Sequence, residues 1–180
     1  LMVLCGLVAV PLGILFVWFL FLAIVENLGP FVLAMLLLLK FTVSFIDVGK
    51  GDCILLQSAA HTVLIDTGYE ETAGRVLEYF EKQGVERIDE MIVTHFDKDH
   101  DGGAPAILEE VEVSKVYLPD YKGESKKYDK LVESLEEHHI EPERLAEDIS
   151  YTADGVNYQI YVSGLEYDPE KENDNDMSLE

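Results

Sequence analysis

Two histidines and three aspartates fall between positions 95 and 101, after an apolar run and before two glycines. A short β-branched run that ends in polar residues is typical of a buried strand that delivers side chains into the following loop. Imidazole and carboxylate groups bind first-row divalent ions, and carboxylates packed this closely repel one another without a cation. A solvated acidic loop with incidental histidines is the alternative. The flanking strand and glycines favour a metal site with the ligands His95, Asp97, Asp99 and His100.

These ligands, followed by Gly102 and Gly103, resemble the first metal motif of the metallo-β-lactamase fold. Residues 45–53 and 63–68 resemble strings of its ComEC/Rec2-like branch. The three strings occur in the right order between residues 41 and 103, and a weaker resemblance continues to about residue 180. Residues 1–40 lie outside it. The resemblance implies an α/β fold class, as the N-terminal half of an αββα fold.

The resemblance also implies supporting roles around the metal. Asp66 would lie beneath the site and hold its loops through hydrogen bonds without binding the ion, which largely coincides with a carboxylate that caps its own turn. Asp47 and Asp52 either line the pocket or stabilise turns. Asp174 falls near the position of a third ligand, in a string that resembles N-D-N-x-S-L. Gly102 belongs to the metal motif itself.

The expected cofactor is one or two divalent ions, zinc or manganese. Asp97 stands where many family members have a second histidine, and its harder oxygen donor makes manganese, iron or magnesium more competitive against zinc. The later aspartate that bridges two metals in the family has no counterpart here, and neither has the final histidine. We therefore expect the natural fold to continue past Glu180.

The first 39 residues predict a membrane segment. Residues 1–25 carry no charge and exceed the roughly 20 apolar residues that cross a bilayer. A signal peptide would have a basic start and a small-residue cleavage site, which are missing here. Residues 31–39 fit a short second crossing, a re-entrant piece or an interfacial helix. We thus expect a transmembrane region at 1–39 and a metallo-β-lactamase-like domain at 40–180.

The remainder of the chain is strongly acidic. Glu26 and Lys40 are the only charges among the first 40 residues, so the whole net charge of −22 belongs to residues 41–180. Such a surface repels phosphate backbones, which disfavours tight nucleic-acid binding by this domain alone, although a metal centre would reverse the field locally. Cys5 and Cys53 imply neither a disulfide nor a thiolate site.

Periodicity places the secondary structure around the motif. Helical spacing of apolar residues predicts amphipathic helices at 72–83 and 125–139, and a short helix through 106–108. Alternation and short apolar runs predict strands at 41–48, 53–57, 62–65, 88–93, 115–118 and, as a hairpin, 149–162.

Two functions compete at this point. The first is a membrane-anchored metal-dependent hydrolase, acting on phosphodiester bonds if the ComEC-like resemblance carries over. The metal would lower the pKa of bound water, and Asp99 would ligate the metal and orient the nucleophilic hydroxide. The second is a non-catalytic membrane module with a structural or vestigial metal site. The expected partners are the lipid bilayer and a small-molecule or nucleic-acid phosphodiester, with a role in DNA uptake inferred from kinship alone. Kinship implies an extracytoplasmic domain.

Overall fold

The structure, a computed structural model, describes residues 17–18, 20–22, 24–26, 28–30, 41–123, 125–165 and 177–180. The chain divides into two compact units, Leu1–Lys40 and Phe41–Glu180. In the first unit the described residues are helical. Within the described ranges, we find no helix with the length and apolar character needed to span a membrane. The rest of the predicted membrane region lies outside these residues, and so does Asp174.

A six-stranded mixed sheet organises the second unit. Its strand order is β1-β2-β3-β5-β7-β8, where β1 to β3 pair antiparallel and the remaining neighbours pair parallel. The hairpin β9–β10 and the pair β4–β6 form two small separate sheets. The strands are β1 Thr42–Phe45, β2 Ile54–Gln57, β3 Thr62–Ile65, β4 Arg87–Ile88, β5 Glu90–Ile92, β6 Glu112–Val113, β7 Val116–Pro119, β8 Glu143–Leu145, β9 Ile149–Ala153 and β10 Val156–Ile160.

Helices pack on one face of the sheet and the β9–β10 hairpin packs on the other. The helices are α1 Ala73–Gln83, α2 Ala104–Glu110 and α3 Lys126–Glu137, and a 3-10 turn, Glu70–Thr72, precedes α1. Neighbours along one strand serve different faces: Leu64 belongs to the helix-side core, while Val63 joins the hairpin-side core. All three helices lie where the sequence predicts helices.

The predicted strand at 88–93 is two strands. Ile88 belongs to β4, which pairs with β6 outside the main sheet, and β5 begins only at Glu90. Asp89 makes the break: its N–H donates to the carbonyl of Thr62, and its carboxylate accepts from Thr62 N–H and from Arg87. These bonds tie Asp89 to β3 and to Arg87, and they separate β4 from β5.

Strand direction brings the motif residues to one edge of the sheet. The carboxyl ends of the parallel strands β3, β5 and β7 lie at the same edge. Because β2 is antiparallel to β3, the turn that enters β2 lies there too. Residues 49–52, 66–68, 94–103 and 121 are therefore neighbours in space, although they are far apart in sequence.

Candidate metal centre

Asp66 is the buried anchor of this edge. It follows β3 directly, has the left-handed φ of 55°, and donates its N–H to the carbonyl of Ile92 at 2.8 Å. Its carboxylate, 2% exposed, accepts the backbone N–H of Thr94 at 2.8 Å and the Thr94 hydroxyl at 2.7 Å. The same carboxylate lies 2.7 Å from His100 Nδ1. Asp66 thus joins the end of β3 to both ends of the motif loop.

Thr94 decides which nitrogen of His95 carries the proton. The Thr94 hydroxyl gives its single hydrogen to Asp66 and lies 3.1 Å from His95 Nδ1. It can therefore only accept from His95, so Nδ1 carries the hydrogen and the lone pair lies on Nε2. His100 donates from Nδ1 to the acceptor-only carboxylate of Asp66, which places its lone pair on Nε2 as well.

His95 and His100 lie next to each other. Their ring centroids are 4.0 Å apart, with the planes tilted by 46°. His95 Nε2 is buried and has no hydrogen-bond partner among the described residues. Its nearest acid is Asp97, whose Oδ2 lies 3.5 Å away. A buried nitrogen lone pair without a donor is costly unless something fills the position, and a cation does so.

The turn that enters β2 packs on the motif loop. The N–H of Asp52 donates to the carbonyl of Asp99 at 3.2 Å, and the carbonyl of Asp52 accepts from Gly68 at 2.9 Å. A side chain at position 51 would overlap the Asp99 carbonyl oxygen, so only glycine fits this approach. The Asp52 side chain is exposed, yet one of its carboxylate oxygens lies within 4.8 Å of ligand atoms of Asp66 and His100.

One group of metal-ligating side chains stands out in the described ranges: Asp52, Asp66 and His100 each offer a ligand atom, and these atoms lie within 4.8 Å of one another. His95 and Asp97 form a second pair beside it. Asp99 is tied in through its backbone carbonyl, and its carboxylate is close enough to shift both histidine pKa values.

Two other predicted supporting residues have different surroundings. The carboxylate of Asp47 points to its own turn and to Arg75: Oδ1 accepts from Gly49 N–H at 3.1 Å, and Oδ2 lies 3.4 Å from the guanidinium. Turn chemistry thus accounts for Asp47, and it does not join the group above. At Gly102, a side chain would overlap the carbonyl of Lys98, so glycine lets the motif loop close tightly.

The family model for the metallo-beta-lactamase superfamily matches residues 46–177. The chain belongs to this superfamily. Most members of the superfamily are hydrolases that bind divalent metals, and this chain holds a candidate Asp/His site.

Two curated relatives share part of this region. The chain is 36% identical over 62 residues to Competence protein ComA of Neisseria gonorrhoeae, covering 34% of this chain and 9% of that protein. It is 30% identical over 91 residues to Recombination protein 2 of Haemophilus influenzae, covering 48% of this chain and 11% of that protein. The chain thus spans about a tenth of the length of the curated relatives it matches.

Two matches to solved structures are partial and have low sequence identity. A metallo-beta-lactamase from Cronobacter sakazakii matches with a TM-score of 0.49 and 15% identity, covering 67% of this chain and 48% of that one. A mutant of the flavo di-iron protein from Thermotoga maritima matches with a TM-score of 0.49 and 17% identity, covering 63% of this chain and 27% of that one.

The pKa values of the two histidines shift in opposite directions. Burial lowers the pKa of His95, and the neighbouring His100 lowers it further. Burial also lowers the pKa of His100, but the hydrogen bond and negative charge of Asp66, helped by Asp99 and Asp52, outweigh burial and raise it. A metal would compete with protons for His100, because only neutral imidazole binds a metal.

Asp101 and Thr94 belong to the site's surroundings, although the motif does not give either a role. Asp101 is 1% exposed, and neither carboxylate oxygen has a hydrogen-bond partner among the described residues. Burial, followed by the charges of Asp97 and Asp66, raises its pKa to about 7.

The only sequence signal that pointed to a role for Thr94 in the site was its position directly before the first histidine. Cys53 is buried, and burial raises the pKa of its thiol to about 12.

Proposed function

We propose that residues 41–180 form a metal-dependent hydrolase domain that acts on phosphodiester bonds. The observation that carries this proposal is the orientation of His95 and His100, whose lone-pair nitrogens are both freed by hydrogen bonds on Nδ1. Outer hydrogen bonds of this kind fix the tautomer of metal-binding histidines in proteins.

The residues present fit a divalent ion. His95, Asp97, Asp99 and His100 would hold it, and Asp52 has a carboxylate oxygen within 4.8 Å of a ring nitrogen of His100. A bound ion would supply a water of lowered pKa and would polarise the phosphoryl oxygen. The buried, unpartnered Nε2 of His95 is the atom that most needs such a partner. The mixed nitrogen and oxygen donors suit zinc or manganese, as one or two ions.

The remaining polar residues act on the ligands. Asp66 fixes the ring of His100 and the backbone of Thr94, and its three accepted hydrogen bonds leave it better suited to orienting than to ligation. Thr94 relays this orientation to His95. Asp99 would ligate the metal and orient the attacking hydroxide. The resulting centre is rigid, because each of these bonds joins elements that the sheet already holds.

The phosphodiester substrate rests on the kinship with the competence and recombination proteins. The net charge of −22 opposes a long nucleic acid gripping this surface, so the metal would be the main attraction for a phosphate. A small phosphodiester, or a nucleic acid presented by another domain, is the substrate that best fits a repulsive acidic surface around an attractive metal ion.

We further propose that the first unit anchors the protein to a membrane, with the metal domain extracytoplasmic. Its described helical residues expose large apolar side chains, among them Trp18, Phe21 and Leu28 at 59%, 59% and 54%. Large apolar side chains in such a row are unfavourable in water. Extraction of the expressed chain by detergent but not by alkaline carbonate tests the anchor, and release by carbonate contradicts it.

The function is tested with the full chain in detergent micelles, supplied with manganese or zinc. Hydrolysis of bis(p-nitrophenyl) phosphate and of a short single-stranded DNA should appear with metal and disappear with chelator. Asp99→Ala should abolish turnover at an unchanged melting temperature, while Asp129→Ala on α3 serves as the matched control. Metal binding without turnover would instead favour the non-catalytic module with a structural ion.

A further inference from the structure

The motif loop leaves the sheet at Val93, and from there its backbone is held by side chains from other segments. Val93 N–H still donates to the carbonyl of Tyr117 at 3.1 Å, in the pattern of the sheet. Thr94 N–H donates to Asp66, as described above. Phe96 N–H donates to the hydroxyl oxygen of Tyr121 at 3.2 Å in a buried position.

Phe96 lies between two of the candidate ligands and is itself deeply buried. Its ring, 1% exposed, has its centroid 4.8 Å from that of Tyr121 and 4.7 Å from that of Tyr128. The backbone that carries His95 and Asp97 is therefore fixed by one hydrogen bond and two ring contacts at a single residue.

Tyr121 is itself held in place. It follows β7, is 6% exposed, and donates its N–H to the carbonyl of Pro119 at 2.9 Å. Arg144 on β8 donates to the carbonyls of Tyr121 at 2.8 Å and Pro119 at 3.3 Å, and to the hydroxyl of Tyr128 at 2.7 Å. A guanidinium that spans three acceptors in this way locks both tyrosines relative to the sheet.

We propose that Tyr121 is a positioning residue for the metal loop: Arg144 holds its backbone carbonyl, its hydroxyl accepts the Phe96 N–H, and these bonds fix the angle between His95 and Asp97. This inference rests on the proposed metal site and adds a residue, from outside the motif, that sets the geometry of that site. Tyr121 does not touch the ion itself. Loss of its hydroxyl leaves a buried N–H unsatisfied, and the loop can restore a bond only by moving.

Tyr121→Phe tests the role because it removes one oxygen and keeps the ring. The full chain in detergent is titrated with cobalt(II), whose visible d–d absorption reports ligand number and geometry. We expect the variant to bind cobalt about tenfold more weakly and to show shifted or weakened d–d bands, as for other outer hydrogen bonds to metal sites. Its melting temperature without metal should fall, because the Phe96 N–H is left unsatisfied. A merely structural tyrosine would lower that temperature but leave the cobalt affinity and spectrum unchanged.

Tyr158→Phe is the matched control. Tyr158 on β10 is also a buried tyrosine, 8% exposed, but its hydroxyl has no hydrogen-bond partner among the described residues. This variant should bind cobalt with the affinity and spectrum of the parent protein.

Amide hydrogen exchange supplies a second measurement that needs no variant. Phe96 N–H should exchange far more slowly than the exposed Lys98 N–H in the parent protein, and equal rates would overturn the proposal. Cobalt binding by Tyr121→Phe with unchanged affinity and spectrum would also overturn it while leaving the proposed metal site intact. No cobalt binding by the parent protein would overturn the metal site and this role together.

Discussion

The Nδ1 atom of His100 lies 2.7 Å from Oδ2 of Asp66, although 34 residues separate them along the chain. This contact closes the motif loop onto the end of β3 and selects the imidazole tautomer. Thr94 donates its N–H and its hydroxyl to the same carboxylate, and the Thr94 hydroxyl oxygen in turn orients the ring of His95. The orientation of both histidines therefore depends on one buried acid.

Asp66→Asn should weaken metal binding by about 10- to 100-fold, because an amide cannot accept three hydrogen bonds at once. Calorimetric titration with manganese measures the change. Asp89→Asn is the matched control, since Asp89 also accepts from backbone and side-chain donors but precedes β5 at the opposite edge of the sheet. Both variants should lose stability, and equal metal affinity in the two would contradict the role of Asp66.

Two aspartates bracket the glycine turn before β2, and we expect them to differ. Asp52→Asn removes a charged oxygen from the group around His100, so manganese affinity should fall severalfold or more. Asp47→Asn removes only a turn bond and an exposed ion pair with Arg75, so affinity should stay within about a factor of two. The same titration compares them, and a larger loss for Asp47→Asn would refute this assignment.

Gly51→Ala should disturb the site from outside the motif. The new methyl group overlaps the carbonyl of Asp99, and relief of such overlap costs about 1–3 kcal/mol and shifts the loop. We expect a lower melting temperature together with weaker metal binding. Gly74→Ala in α1, where a Cβ meets nothing within 4 Å, should instead stabilise the protein by up to about 1 kcal/mol. Normal metal binding by Gly51→Ala would show that the turn does not control the loop.

The turn of the β9–β10 hairpin holds a carboxylate, Asp154, whose contribution to stability depends on pH. Asp154 accepts from Ala60 N–H at 2.9 Å, and its bond with the Ser58 side chain, followed by this backbone bond, lowers its pKa below the usual 3.8. A lowered pKa in the folded state contributes stability above pH 3.8, and this stability is lost as the pH falls through the lowered value.

Asp154→Asn should therefore melt at a lower temperature than the parent protein at pH 7, and the difference should shrink towards pH 3. Thermal unfolding at several pH values, in the presence of chelator, measures this. Asp120→Asn controls for the loss of one surface carboxylate. A difference between Asp154→Asn and the parent that grows on acidification would contradict the sign of the pKa shift.

The local elements could be predicted because their signals are local. The apolar residues of α1 recur with helical spacing, and Gly84 ends that helix with a φ of 68°, as the position after a helix often requires. The loop that carries the predicted ligands was also visible, because strand, polar cluster and glycines follow one another directly. The split between β4 and β5 was missed, since it depends on bonds that Asp89 makes to a distant strand.

The parts of the site that escaped prediction come from distant pairings. That Asp52 rather than Asp47 reaches His100 depends on how the turn folds over Asp99, and either aspartate fits a turn by sequence alone. The bond from Phe96 to Tyr121 joins the loops that follow the neighbouring parallel strands β5 and β7. A tyrosine after a strand carries no sequence signal for such a partner.

Metal content of the purified full chain is the most direct test of a metal centre built on His95 and His100. The chain in detergent is exposed to manganese and zinc, desalted, and analysed by mass spectrometry beside His95→Ala, His100→Ala and the control His138→Ala, whose histidine lies at the end of α3 beside Glu109. We predict about one or two ions per chain in the parent and control, and their loss in the first two variants. An equal metal content in all four proteins, or no bound ion in the parent, would contradict the account.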